Sequence, residues 1–239
     1  MSFHLKDLRL IERKADLAAL PEGKVLINTI NAHSYNTALG DEAFAAALQG
    51  GDALIPDGHS IVWACRWIRA KSRPEERIAG WDLFVFEMER LNQKGGKVFF
   101  LGSSERTLGL IRDKAKEVYP HIVVETYSPP FKKEFSEEES AAMVAAVNGA
   151  KPDLLWVGMT APKQEKWTFA HWDQLDINCH TGTIGAVFDY FAETVKRAPL
   201  WWQRHGLEWL YRLLKEPKRM WKRYLVGNTL FLWNVFTRR

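Results

Sequence analysis

Six short, β-rich apolar runs separated by stretches of helical periodicity constrain this chain more than any other feature. The runs lie at 24–31 (KVLINTIN), 53–56, 97–101 (KVFFL), 121–126 (HIVVET), 153–158 (DLLWVG) and somewhere within 177–187. Helical patterns fill the intervals at 41–48, 60–70, 81–92, 105–118, 137–147 and 162–171. Two have clear starts: Ser136 with Glu139 forms a capping box, and Pro162 suits a first helical turn. Alternation of this kind implies a mostly parallel sheet with helices on both faces. The expected fold is α/β, a mostly parallel sheet flanked by helices. Such sheets bind ligands at the carboxyl ends of their strands.

From Phe188 onward strand signals cease and the sequence reads helical, with Pro199 and Pro217 as breaks. A boundary is expected near Lys196, separating a body (1–196) from an appendage (197–239). The net charge of +4 averages over these two parts. The appendage holds ten Lys/Arg against Glu208 and Glu216, and five of the eleven Trp, so it carries +8 and the body −4. Within 206–225, Leu207, Leu210, Leu214 and Trp221 are interleaved with Arg212, Lys215, Lys218 and Arg223, the mixture of an interfacial basic helix. The longest late apolar run, 225–236, is far shorter than the roughly 20 residues of a spanning helix. The first 17 residues carry charges throughout, so no secretory leader is expected. Cys65 and Cys179 are too few for a disulfide framework, which favours a reduced, cytoplasmic setting.

GxGxxG, GxxxxGK[ST], HExxH and nucleophile-elbow patterns are all absent. Polar residues at strand ends remain. Asn31 closes the first run with Thr29 on the same pleat face, and Asp57 sits in the turn Pro56-Asp57-Gly58. Gly102 precedes Ser103-Ser104 and could lead a phosphate to a helix N-terminus. Gly158 precedes Thr160 to Glu165. Each has a plain structural alternative: turn chemistry for Asp57, a cap for Asn31, a helix entry for Arg77 to Asp82, and solvated first-turn residues for Gln164 and Glu165.

Taken in order, the strings Thr29-Ile30-Asn31, Pro56-Asp57-Gly58, Arg77-x-x-Gly-x-Asp82, Phe100-Leu101-Gly102, Gly158-x-x-x-Pro-Lys-Gln164-Glu165, Lys196-Arg197-Ala198-Pro199, Gly206-Leu-Glu-Trp-Leu-Tyr-Arg212 and Glu216-Pro-x-Arg219 resemble the WecG/TagA/CpsF glycosyltransferase family. The resemblance covers roughly residues 24–224. It implies a Rossmann-like catalytic domain with a C-terminal appendage that meets the membrane. The implied reaction is inverting transfer of a sugar, typically N-acetylmannosamine, from a UDP-sugar to a polyprenyl-diphosphate-linked acceptor at the inner face of the bacterial membrane, in surface-polysaccharide or teichoic-acid synthesis. Glucose or another hexose is the alternative donor. By the same resemblance Asp57 is the catalytic base. Thr29, Asn31, Arg77, Asp82, Gly102, Gln164 and Glu165 are expected to bind substrate, and Arg212, Arg219 and Arg223 to serve diphosphate, lipid phosphate or both. No DxD motif is evident in the body, so metal independence is expected, with no cofactor. His33 stands where the family carries an acidic residue. Expected partners are the UDP-sugar, the lipid-linked acceptor and an anionic membrane surface, with self-association in solution. Nucleic acid is the distant alternative partner for a basic aromatic tail, disfavoured by the acidic body.

Overall fold

The computed structural model describes residues 3–237, apart from the side chain of Arg219. All six runs are strands: β1 (Val25–Ile30), β2 (Ala53–Pro56), β3 (Gly96–Gly102), β4 (Ile122–Tyr127), β5 (Leu154–Gly158) and β6 (His180–Thr183). They form one parallel sheet in the order β2-β1-β6-β5-β3-β4. The inner strands are almost wholly buried, the usual reason that parallel strands read as continuous apolar runs. Between and beyond them lie α1 (Ala32–Ala38), α2 (Glu42–Gln49), α3 (His59–Trp67), α4 (Gly80–Lys94), α5 (Glu105–Val118), α6 (Glu137–Ala150), α7 (Lys163–Ala170) and α8 (Gly185–Phe191). The capping box at Ser136 and Glu139 is present. Pro162 takes the N-cap of α7, one position before its expected place in the first turn.

The sheet has apolar layers on both faces. Val25, Ile27, Ile55, Phe100 and Trp156 meet α4, α5 and α8 through Phe84, Met88, Ile111, Phe188 and Phe191. On the other face Phe99, Leu101, Leu155 and Val157 pack against α6 and α7. Beside them Ile30 and Leu54 pack with Tyr35 of α1, Phe44 of α2 and Ile61 of α3.

After α8 the chain runs through α9 (Leu200–Arg204), α10 (Glu208–Lys215), α11 (Pro217–Trp221), a π-helical stretch (Lys222–Val226) and α12 (Gly227–Thr237). The segment 206–225 is therefore broken rather than one interfacial helix. Glu216 adopts φ −133° and ψ 60°, and Pro217 begins a new helix because its missing N–H costs nothing there. α12 enters the body's core: Phe231 and Val235 are buried, and the Phe231 ring meets Tyr35 edge-on at 5.5 Å. Asn36 Nδ2 donates to the Gly227 carbonyl at 2.7 Å and fixes the start of α12 against α1. Among the described residues no helix is long and apolar enough to cross a membrane.

Candidate active site

Parallel register brings two strand ends together. Ile30 lies opposite Pro56, so Asn31 and Asp57 leave the sheet side by side. The Asp57 amide donates to the Ile30 carbonyl at 2.8 Å. Gly58, at φ +147°, then turns the chain directly into α3. Asn31 is a helix cap: its Oδ1 accepts from the His33 and Ser34 amides, both at 3.0 Å. Thr29, opposite Ile55, shares the pleat face of Asn31 and is partly exposed. A third segment is tied to the same edge by the Ile78 amide, which donates to the Pro56 carbonyl at 3.1 Å. Arg77 is thereby held beside Asp57.

The appendage closes over this edge. Glu208, in the first turn of α10, meets Arg77 Nη1 at 3.0 Å and Arg197 Nε at 3.6 Å. These three side chains are 14 to 19% exposed, shielded enough for their charges to act strongly. Arg197 lies over Trp81 at 5.4 Å and Arg212 over Tyr190 at 5.3 Å. The Tyr190 hydroxyl is buried without a hydrogen-bond partner. Gly206, at φ +71°, packs so close that a Cβ there would lie 3.0 Å from His59 Nδ1.

Asp57 lies at this strand end under the appendage, partly exposed yet desolvated by the surrounding protein. Desolvation raises its proton affinity above the ordinary carboxylate range. Arg77 opposes the rise, Glu208 adds to it, and Arg212 and Arg223 oppose it. Arg77 stays firmly protonated despite its own burial because Asp57 and Glu208 face it. Burial, then Arg77, lowers the proton affinity of His59, with Glu208 opposing. Burial, then Arg223, does the same to His33. Arg212 and Arg223 of the appendage therefore act on the carboxylate of the body. The side chain of Arg219 lies outside the described residues.

The other expected residues are placed apart from this cluster. Gly102 ends β3, four strands from β2 and so roughly 19 Å away. A Cβ on Gly102 would lie 2.3 Å from the Gly158 carbonyl oxygen. The Ser103 amide donates to that same oxygen at 3.1 Å, so it is not free to face a phosphate. Gln164 is buried between the ends of β5 and β6, accepting from the Met159 amide at 3.2 Å and donating to Glu165 Oε1 at 2.9 Å. Glu165 is 2% exposed with Oε2 unpartnered, and burial pushes its carboxyl up to about 7. Asp82 is spent on structure, accepting from the Ala79 amide at 2.8 Å and pairing with Lys14 at 3.2 Å. Among the described residues no three His, Cys, Asp or Glu are grouped to hold a metal. A cavity of about 250 Å3 at the opposite edge of the sheet is lined by Glu87, Arg90 and His180. Their polar atoms serve one another there, with Glu87 2.7 Å from Arg90 and 2.8 Å from His180.

Glu208, Arg197, Tyr190 and His59 were not singled out as site residues from sequence. The available signal was Glu208 itself, one of only two acids in a strongly basic stretch.

The model of the WecG/TagA/CpsF glycosyl transferase family matches residues 4–239. The chain belongs to this family. As a WecG/TagA/CpsF member it is a glycosyltransferase, and its catalytic architecture is the parallel sheet just described. It is 32% identical over 200 residues to the N-acetylglucosaminyldiphosphoundecaprenol N-acetyl-beta-D-mannosaminyltransferase of Bacillus spizizenii strain W23, covering 83% of this chain and 74% of the relative. It is 30% identical over 200 residues to the protein of the same name from Bacillus subtilis strain 168, covering 84% and 75%.

Proposed function

We propose that this glycosyltransferase moves N-acetylmannosamine from a UDP donor to a saccharide on polyprenyl diphosphate, with inversion, while seated on the inner face of the membrane. The names of the two Bacillus relatives support the sugar and the acceptor class. The observation that carries the reading is the Asp57 carboxylate at the strand end that the Arg77 segment and the appendage converge on, with charges from both acting on it.

The chemistry follows from that arrangement. The Asp57 carboxylate takes the proton of the acceptor hydroxyl as its oxygen bonds to the anomeric carbon, and the bond from that carbon to the UDP oxygen breaks on the opposite side. A carboxylate whose proton affinity is raised by burial is a stronger base than one in water. Negative charge grows on the departing diphosphate, and Arg77, Arg212 and Arg223 supply preorganised positive charge for it. Thr29 and Asn31 line the acceptor side, and Gln164 lies toward the donor at the ends of β5 and β6. With cations supplied by arginine, turnover is expected to persist in EDTA; loss that returns with a divalent ion would overturn metal independence.

The test is Asp57→Asn, assayed by UDP release against a short polyprenyl-diphosphate-GlcNAc analogue. A loss of about 10²- to 10⁴-fold in turnover with an unchanged melting curve is expected. Near wild-type turnover would remove Asp57 from the role of base.

A further inference from the structure

The charge split along the sequence is not the split of the surface. The acidic body contains one segment, 59–73, with four basic side chains (Arg66, Arg69, Lys71 and Arg73) and no acidic one. It spans α3 and the loop that follows, where Trp63 and Trp67 are 52% and 59% exposed. Both residues sit on one stripe of the helix, four apart, opposite the buried face formed by Ile61, Val62, Ala64 and Cys65. Two large indoles held outward by a well-packed helix leave more than half of their surface in water, which is costly.

Their surroundings point to what covers them. The Trp67 ring stacks on Phe236 of α12 at 6.2 Å and 20° between planes. That contact joins the α3 stripe to the exposed apolar side chains of the appendage, Leu225, Val226, Leu230 and Trp233. The appendage from 217 to 237 also has basic residues and no acids. Arg66 donates to the carbonyls of Pro74 and Glu75, and Lys71 meets Asp7 at 2.9 Å. Exposed Trp rimmed by Lys and Arg is the composition of a headgroup-level anchor, whereas the core of a protein interface is depleted of charge.

We propose that α3, through Trp63 and Trp67, is a second membrane-seating element, belonging to the catalytic body and occupied by an anionic phospholipid surface. This rests on the proposed reading of a membrane-borne acceptor and extends it beyond the appendage. The consequence is geometric. α3 begins two residues after Asp57 and its nine residues span about 13 Å. Seating its stripe on the bilayer therefore fixes the height of the carboxylate above the headgroups.

The experiment uses the full chain and vesicles of about 30% phosphatidylglycerol in phosphatidylcholine. Trp63→Ser/Trp67→Ser is expected to bind them about ten-fold more weakly, with turnover on a water-soluble short-chain acceptor unchanged and turnover on a vesicle-embedded acceptor reduced. Trp63→Ser alone keeps the Trp67–Phe236 contact and is expected to lose several-fold, which separates lipid contact from appendage docking. Trp233→Ser provides the comparison. If it weakens vesicle binding while the α3 double variant binds like wild type, the inference fails and the membrane reading stands. If neither variant changes binding, the membrane reading itself fails. A double variant with wild-type vesicle affinity but a smaller sedimentation coefficient would assign the stripe to contact between two copies of the chain, also overturning the proposal.

Discussion

Asp57 and Glu165 are both carboxylates desolvated by the surrounding protein, and their neighbours set them apart. Asp57 has three arginines and a second acid within electrostatic reach; Glu165 has one amide partner and an empty oxygen. The two therefore respond differently to substitution. Glu208 raises the proton affinity of Asp57, so Glu208→Gln is expected to move the acidic limb of the kcat/KM profile to lower pH, while Arg212→Gln moves it to higher pH. Equal limbs in both variants would separate Asp57 from that titration. For Glu165 the folded state binds its proton more tightly than the unfolded chain, so native stability falls as pH rises from about 4.5 to about 7. Glu165→Gln should stabilise the protein at pH 8 by at most about 3 kcal/mol, with the gain vanishing below the unfolded-state value, as urea unfolding across pH would record. Asn31 and Asp82 show how a motif residue can be structural, since each has a carbonyl or carboxylate oxygen committed to a helix start.

At the scale of elements, most of the inner strands were legible because they are buried on both faces and hence largely apolar. The exceptions have physical causes. β6 is His180-Thr-Gly-Thr183, with little apolar content, and is a strand because β1 and β5 flank it and the Thr183 hydroxyl donates to Asn28 Oδ1 at 2.8 Å. α1 was not anticipated because seven residues give too little periodicity; the Asn31 cap and the core contact of Tyr35 define it. Gly102 ties β3 to β5 and invites a direct test. Gly102→Ala meets backbone at 2.3 Å at φ +121° and should destabilise by about 2–4 kcal/mol. Gly109→Ala in α5, with nothing within 4 Å of the new Cβ, should stabilise by about 0.5–1 kcal/mol. Similar unfolding midpoints for the two variants would contradict the packing described.

For the molecule as a whole, the appendage is both part of the core and part of the site. Deleting residues 197–239 removes Phe231 and Val235 from the layer around Tyr35, which should cost about 3–6 kcal/mol. It also strips Glu208, Arg212 and Arg223 from the cleft. The truncated protein is therefore expected to lose stability, turnover and vesicle binding together, whereas Arg212→Gln/Arg223→Gln should keep its melting temperature and lose turnover; full activity after truncation would refute this. Composition and periodicity alone determined the α/β class, the parallel sheet and the basic, aromatic character of the last forty residues. Those properties are written in local patterns of burial and charge. Only tertiary structure decided that Glu208 bridges Arg77 and Arg197, that Gly102 stands four strands from Asp57, and that Trp67 of the body stacks on Phe236. Each joins residues distant along the chain, and their proximity depends on strand order and packing rather than on local sequence.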